Sequence, residues 1–273
     1  MKSMPWHWLL MFCLLAACDS STTAVTTDDE TGPVPGPLVP DLPARAQDAI
    51  SGAAFLDETA SASADRRQER AVEELLSGNL PDALRHLHPV PWIAPGGDTL
   101  TIHVLGDYLA VGSDDSFVYM PMTLPSARTI AREWGLLFPV PTMVDAVYAN
   151  ADIRLDPQPM TPGPLMSSNG YYREHTALIL DQRAGRAPKG LIAGHKKDIV
   201  GTVRLDNQPG RIAIYGWHLG IGDPIQPLSL VHHDRYEDYS HGLRLIHPVA
   251  WRGTEPVDLS SVLSDLERWS WGR

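Results

Sequence analysis

The chain carries eleven histidines, and six of them lie between residues 195 and 247: His195, His218, His232, His233, His241 and His247. Five fall in three short polar segments: Gly194-His195-Lys196-Lys197-Asp198, Tyr215-Gly216-Trp217-His218, and His232 to Gly242, which reads HHDRYEDYSHG. Imidazole and carboxylate groups in one place are what an acid–base pair or a hydrolytic metal site requires. Three readings compete for them. In the first, His195, His218 and His241, with Asp198 or Asp238, hold zinc or another divalent metal that acidifies a water for attack on an amide or ester; the spacing contains no HExxH. In the second, Ser240 or Tyr239 is a nucleophile served by a histidine and by Asp238 or Asp198, although Ser240 stands outside a GxSxG elbow. In the third, the histidines are hydrogen-bonded structural residues around glycine-rich turns. The candidate catalytic set is therefore His195, Asp198, His218, Asp238, Ser240 and His241. Trp217, Tyr236 and Tyr239 offer amphipathic surfaces on which a sugar ring could stack. Lys196 and Lys197 could hold a substrate carboxylate or phosphate, or simply sit solvated at a strand end.

These segments need strand ends and turns to bring them together. Gly190 to His195, Ile199 to Leu205 and Arg211 to Tyr215 read as short strands, with a turn at Asp206 to Gly210. Residues 219–243 read as loop. Upstream, 62–76 reads as a helix with Ala71, Val72, Leu75 and Leu76 on one face, ended at Ser77-Gly78-Asn79. A second helix is expected at 81–88, opened by Pro81. Strands are expected within Thr99 to Val111, turning at Gly106-Asp107, and at Ser116 to Met120. Gly112 to Ser116 reads as a turn rather than a calcium loop. Thr123 caps a helix to Trp134. A helix from Pro141 or Thr142 to about Ala151 has Met143, Val144, Val147 and Tyr148 as its buried stripe. Residues 156–170 form a Pro/Gly loop, Glu174 to Arg183 a helix, and Leu259 to Trp269 a last short helix. The fold class is α+β, with helical N-terminal segments followed by a mostly antiparallel, β-rich body.

The first 18 residues, MKSMPWHWLLMFCLLAAC, place one lysine before an uncharged stretch from Pro5 to Ala17. That stretch is short of the about 20 apolar residues of a spanning helix and has the layout of a signal peptide. Leu15-Ala16-Ala17-Cys18 resembles the lipobox of bacterial lipoproteins, which implies cleavage before Cys18, lipidation of Cys18 and a membrane anchor on an exported protein. Cys13 and Cys18 are the only cysteines, so the body has none for a disulfide, a Cys-zinc site or a thiol nucleophile. The organisation expected is a signal peptide over 1–17, a lipidated cysteine and disordered, Ser/Thr/Pro-rich tether over 18–45, and one globular domain over 46–273, with a possible subdivision near 156–170. The formal net charge of −11 argues against nucleic acid as a partner, because phosphate binding needs a cationic face.

Two further resemblances bear on the body. Ser240-His241-Gly242 followed by Arg244 resembles the SHGC-x-R signature of L,D-transpeptidases, and Ile214-Tyr215-Gly216 is similar to their upstream IHG element. That chemistry needs a cysteine after SHG. Leu243 stands there, so transpeptidase activity is excluded. Over roughly 75–247, the runs Asp107 to Asp115, Met120 to Thr123, Ala193 to Asp198, Ile214 to His218 and Asp238 to Gly242 resemble a family of exported bacterial and fungal proteins. That resemblance implies one unit and carries no reaction. The functional expectation is a lipid-anchored hydrolase acting on a cell-envelope or extracellular polymer through a His/Asp-rich cleft. The alternative is a non-catalytic envelope- or glycan-binding lipoprotein.

Overall fold

Helix α1 (Gly52–Glu58) starts where the Ser51 side chain accepts the Ala54 N–H, and α2 (Ala64–Leu76) starts the same way at Ser63. Each cap satisfies one N–H left over at a helix start. The computed structural model describes residues 35–186 and 190–263. The leader, Cys18, the tether up to residue 34 and the stretch of the expected last helix beyond residue 263 lie outside the described residues. The remainder of the tether is not free of the body. Leu38 exchanges both backbone hydrogen bonds with Leu87, and Arg45 reaches the Asn79 side chain.

The body is α+β. One four-stranded antiparallel sheet has the order β1 (Leu87–Ile93), β2 (Thr99–Leu105), β11 (Val249–Arg252), β12 (Glu255–Asp258). A second has the order β10 (His241–Gly242), β7 (Lys197–Ile199), β8 (Ile214–Gly220), β9 (Asp223–Ser229). In it only the β10–β7 pair is parallel. Two smaller pairs complete the strands: the hairpin β3 (Ala110–Ser113) with β4 (Ser116–Tyr119), and β5 (Ile153–Arg154) with β6 (Ile192–Ala193). The remaining helices are α3 (Leu124–Glu133), α4 (Pro141–Asn150), α5 (Asn169–Arg183) and α6 (Leu259–Val262) among the described residues.

Several expectations hold. Thr123 caps α3, and Met143, Val144, Val147 and Tyr148 are the buried residues of α4. Others do not. Residues 81–88 are not a helix: a 3-10 turn at Asp82–Arg85 leads into β1. Pro89 and Pro91 are compatible with β1 because it is an edge strand, where a missing N–H breaks no interior ladder. Residues 199–205 leave the strand after Ile199, and Thr202 caps a 3-10 turn at Val203–Asn207. The strand expected at 211–215 starts at Ile214 and runs through Trp217 and His218. Residues 219–243 are not all loop, because β9 occupies 223–229. Its apolar Ile225 faces outward and its Pro224 and Pro227 sit on a sheet edge, so no inward alternation marks it.

One large hydrophobic cluster joins α1, α2, β3, β4 and α3 to β7 and β8 through Phe55, Leu75, Val111, Ile130, Ile199 and Ile214. A second lies between the first sheet and α4, with Trp92, Ile102, Val147 and Ala250 at its centre. The polar segments of the second sheet are mounted on the first cluster.

Candidate active site

Register decides which of the polar residues meet. His241 pairs with Lys197, and Lys197 pairs with Gly216; the next rung is Gly242, Asp198 and Tyr215. Side chains alternate across a sheet, so Lys197 and His241 share one face while Asp198 projects to the other. The adjacent Lys-Asp pair is thereby split between two environments.

On the first face His241 is fully buried and neither ring nitrogen has a hydrogen-bond partner among the described residues. Its Nε2 lies 4.0 Å from Asp238 Oδ2. Burial pushes its pKa down to about 4 against the opposing pull of Asp238, with Lys197, His232 and Lys196 adding to the fall. His241 is therefore neutral at physiological pH and able to accept a proton. Burial raises Asp238, but His241, the Ser240 hydrogen bonds and Lys197 together hold its carboxyl below the usual range. Asp238 Oδ1 accepts the Ser240 N–H at 2.7 Å and the Ser240 hydroxyl at 2.5 Å, and Oδ2 accepts the Tyr236 hydroxyl at 3.0 Å. The rings of His232 and Tyr236 stack at 4.1 Å, both half-buried, and both stand edge-on or tilted to His241 at 6.0 and 5.6 Å. Lys197 Nζ lies 4.7 Å over the ring of Trp217. Trp217 is a non-glycine residue with φ +57°, in the regularly paired stretch of β8 between two register shifts against β9. A bulky residue held left-handed is strained, and such strain gathers at functional sites.

On the second face Asp198 is buried against Tyr108, whose hydroxyl donates to Oδ2 at 2.6 Å. Arg244 stacks on Tyr108 at 4.4 Å, with its Nε 3.9 Å from Asp198 Oδ1. Burial lifts Asp198 to about 6 despite Arg244 and Tyr108. The glycine of Ser-His-Gly has a packing reason: a Cβ at 242 would fall 2.5 Å from Tyr108 Cδ1 and 2.7 Å from Lys196 Cβ.

The three histidines of the metal reading do not converge. His195 is fully buried, between the rings of Tyr108 and Tyr119, with Nε2 3.2 Å from Asp107 Oδ1. His218 stacks on Tyr148 and meets Asp145 at 2.9 Å, where the Tyr215 hydroxyl also donates. Each of the three thus faces a different carboxylate. Among the described residues no group of three His, Cys, Asp or Glu side chains is placed to hold a metal ion. The serine reading is corrected as well, because Ser240 gives its hydroxyl proton to Asp238 and not to a histidine. Tyr239 is a packing residue: its ring is buried beside His175 and Tyr171, its hydroxyl accepts the Met160 N–H, and its carbonyl accepts from Lys196. Lys196, the fully buried neighbour of Lys197, spends its ammonium on that carbonyl and on His175 Nδ1, 3.1 Å away. What remains together is His241, Asp238, Tyr236, His232, Lys197 and Trp217.

Sequence reasoning missed the residues that hold this group in place. Arg67 on α2 pairs with Glu237 at 2.9 Å, both buried, and Tyr172 donates to the other Glu237 oxygen at 2.7 Å. Gln68 donates to the Pro121 carbonyl and accepts from the Thr123 N–H. Glu237 precedes Asp238, so this clamp sets the position of the loop that carries it. Arg67 and Gln68 read in the sequence as the solvated side of an amphipathic helix. Asp145 was equally hidden, as a polar residue between Val144 and Ala146 of α4. No family model, curated protein or solved structure matches this chain.

Proposed function

We propose that the protein is an exported, lipid-anchored hydrolase of a cell-envelope or extracellular polymer, in which His241 and Asp238 perform metal-free acid–base chemistry. One observation carries the reading: among the described residues His241 is a buried imidazole with both nitrogens unengaged beside the Asp238 carboxylate, and, unlike His195, which is in the same condition beside Asp107, it adjoins the half-exposed rings of His232 and Tyr236. Few structural histidines are left in that condition, since a buried polar group without a partner is costly. In the reaction, His241 takes a proton from a water as its oxygen attacks the carbonyl carbon of an amide or ester, giving a tetrahedral intermediate. Asp238 stabilises the imidazolium so formed, and the same proton then passes to the leaving nitrogen or oxygen. A positioned base of this kind contributes roughly 10²–10⁴ in rate. His232 and Tyr236, half-exposed, line the approach. Export and anchoring rest on the lipobox at Leu15 to Cys18.

The test is to incubate the purified full chain with peptidoglycan sacculi and with soluble amide, ester and glycan substrates, and to identify released products by mass spectrometry. Products lost in His241→Gln, with the melting profile kept, support the hydrolase. A second reading is favoured by the Ser240 hydroxyl being spent on Asp238 and by the stacked His232–Tyr236 pair: a binding lipoprotein that grips a glycan. Cosedimentation with sacculi and no product from any substrate would decide for it.

A further inference from the structure

On the same face as His241, Lys197 carries the one cation of the site that, among the described residues, has no hydrogen-bond acceptor or carboxylate partner. Its neighbour Lys196 is bound to His175 and the Tyr239 carbonyl, and Arg244 is bound to the Leu105 and Ile192 carbonyls beneath the sheet. Lys197 has no hydrogen-bond acceptor or ion-pair partner among the described residues; its contact is with the face of Trp217. It is only half-buried, so solvent and ligand reach it, yet burial already pulls its pKa down, partly offset by Asp238. The indole of Trp217 adds a second donor. Its Nε1 is buried and has no partner among the described residues, on a residue whose left-handed backbone is maintained at some cost. Asp238 is the negative group facing this corner, and its charge is spread over the Ser240 N–H, the Ser240 hydroxyl and the Tyr236 hydroxyl.

We propose that Lys197 and Trp217 bind a single carboxylate of the substrate, with the ammonium as its counter-charge and the indole N–H as a donor. This deepens the hydrolase reading and rests on it for the orientation of substrate at His241. One ammonium and one N–H match a monoanion. A phosphate dianion would face Asp238 with too few donors to offset the repulsion. The carboxylate could belong to the C-terminus of a peptide or to an acidic sugar, and both sources present the same group to Lys197.

Binding to the full chain in detergent, measured by isothermal titration, tests this apart from turnover. The probes are N-acetyl-alanyl-alanine and its C-terminal amide, glucuronate and methyl glucoside, and inorganic phosphate. The expectation is that one acid of the first two pairs binds at least about tenfold more tightly than its neutral counterpart, the scale of one charge-assisted contact. Lys197→Met should abolish that preference, and Lys197→Arg should retain part of it. Which pair shows the preference identifies the source of the carboxylate. Equal affinity for acid and neutral probe, a preference that survives in Lys197→Met, tighter binding of phosphate, or no binding of any probe overturns the proposal. Failure of the hydrolase reading shows separately, as absence of product. A correctly folded Lys197→Arg, checked by circular dichroism, guards against loss through misfolding.

Discussion

Arg67→Met should show how much of the site is held from beneath. The substitution keeps the length of the side chain and removes the cation that pairs with Glu237 at 2.9 Å. Both partners are almost fully buried. Burial works against both charges; Arg67 is nonetheless held above its usual value by Tyr172 and Glu237, whereas for Glu237 burial outweighs Tyr172 and Arg67 and pushes the carboxyl up. Removing one partner of such a pair strands the other, at a cost of about 3–5 kcal/mol. For a body of this size that is a fall in Tm of roughly 6–20 °C. Because the Glu237 carboxyl is already raised, the folded state binds its proton more readily than the unfolded chain. The deficit in Arg67→Met is then largest at neutral pH and shrinks on acidification towards the ordinary carboxylate range, where Glu237 becomes neutral. The assay is urea denaturation of wild type, Arg67→Met, Glu237→Gln and the double variant at neutral and acidic pH. The double variant should be more stable than the two single deficits would sum to. Additive deficits, or an Arg67→Met loss below about 0.5 kcal/mol, would refute the view that this ion pair holds the loop.

Gly242→Ala should cost about 1–3 kcal/mol by overpacking, because its Cβ would intrude on Tyr108 and Lys196; chemical denaturation reads this, and a neutral result would show that the glycine serves something other than packing. His241 and Asp198 should tilt stability with pH in opposite directions. His241 has a lowered folded pKa of about 4, so its contribution is present above the unfolded value near 6.5 and is lost as pH falls from there to about 4. Asp198 has a raised folded pKa of about 6, so its contribution is present below the unfolded value near 3.8 and is lost as pH rises to about 6. Tm measured from pH 4 to 7 should therefore fall less steeply on acidification in His241→Gln than in wild type, and more steeply in Asp198→Asn; slopes unchanged in both would contradict these environments.

The helices were the most legible part of this protein. The 3.6-residue stripe of α4 and the Thr123 cap of α3 depend on neighbours within one or two turns, and the structure has both. The expected helix at 81–88 failed because after Pro81 the chain makes only the single 3-10 turn Asp82–Arg85, turns extended at His86 and enters β1 at Leu87. β9 failed for a different reason: an edge strand need not alternate towards the core. Arg67, Gln68 and the part-exposed Asp145 were unreadable as site residues, because a polar side chain that meets a partner some 50 to 170 positions away looks the same in sequence as a solvated one.

The amino-acid sequence by itself determined the α+β class, the absence of any cysteine from the body, and the collection of histidines, aspartates and aromatics in three segments. Composition and local spacing are enough for these. Which of those side chains meet was decided by tertiary structure. A two-residue period sends Lys197 and Asp198 to opposite faces of one strand, so the register of β10, β7 and β8 joins His241 to Lys197. The same packing consigns His195 to a core of tyrosines and turns His218 towards Asp145. Three histidines that look equivalent in the chain thus become one candidate base beside the half-exposed His232 and Tyr236 and two rings packed against tyrosines. The difference lies in the distance and burial of their partners, which residue type and spacing do not encode.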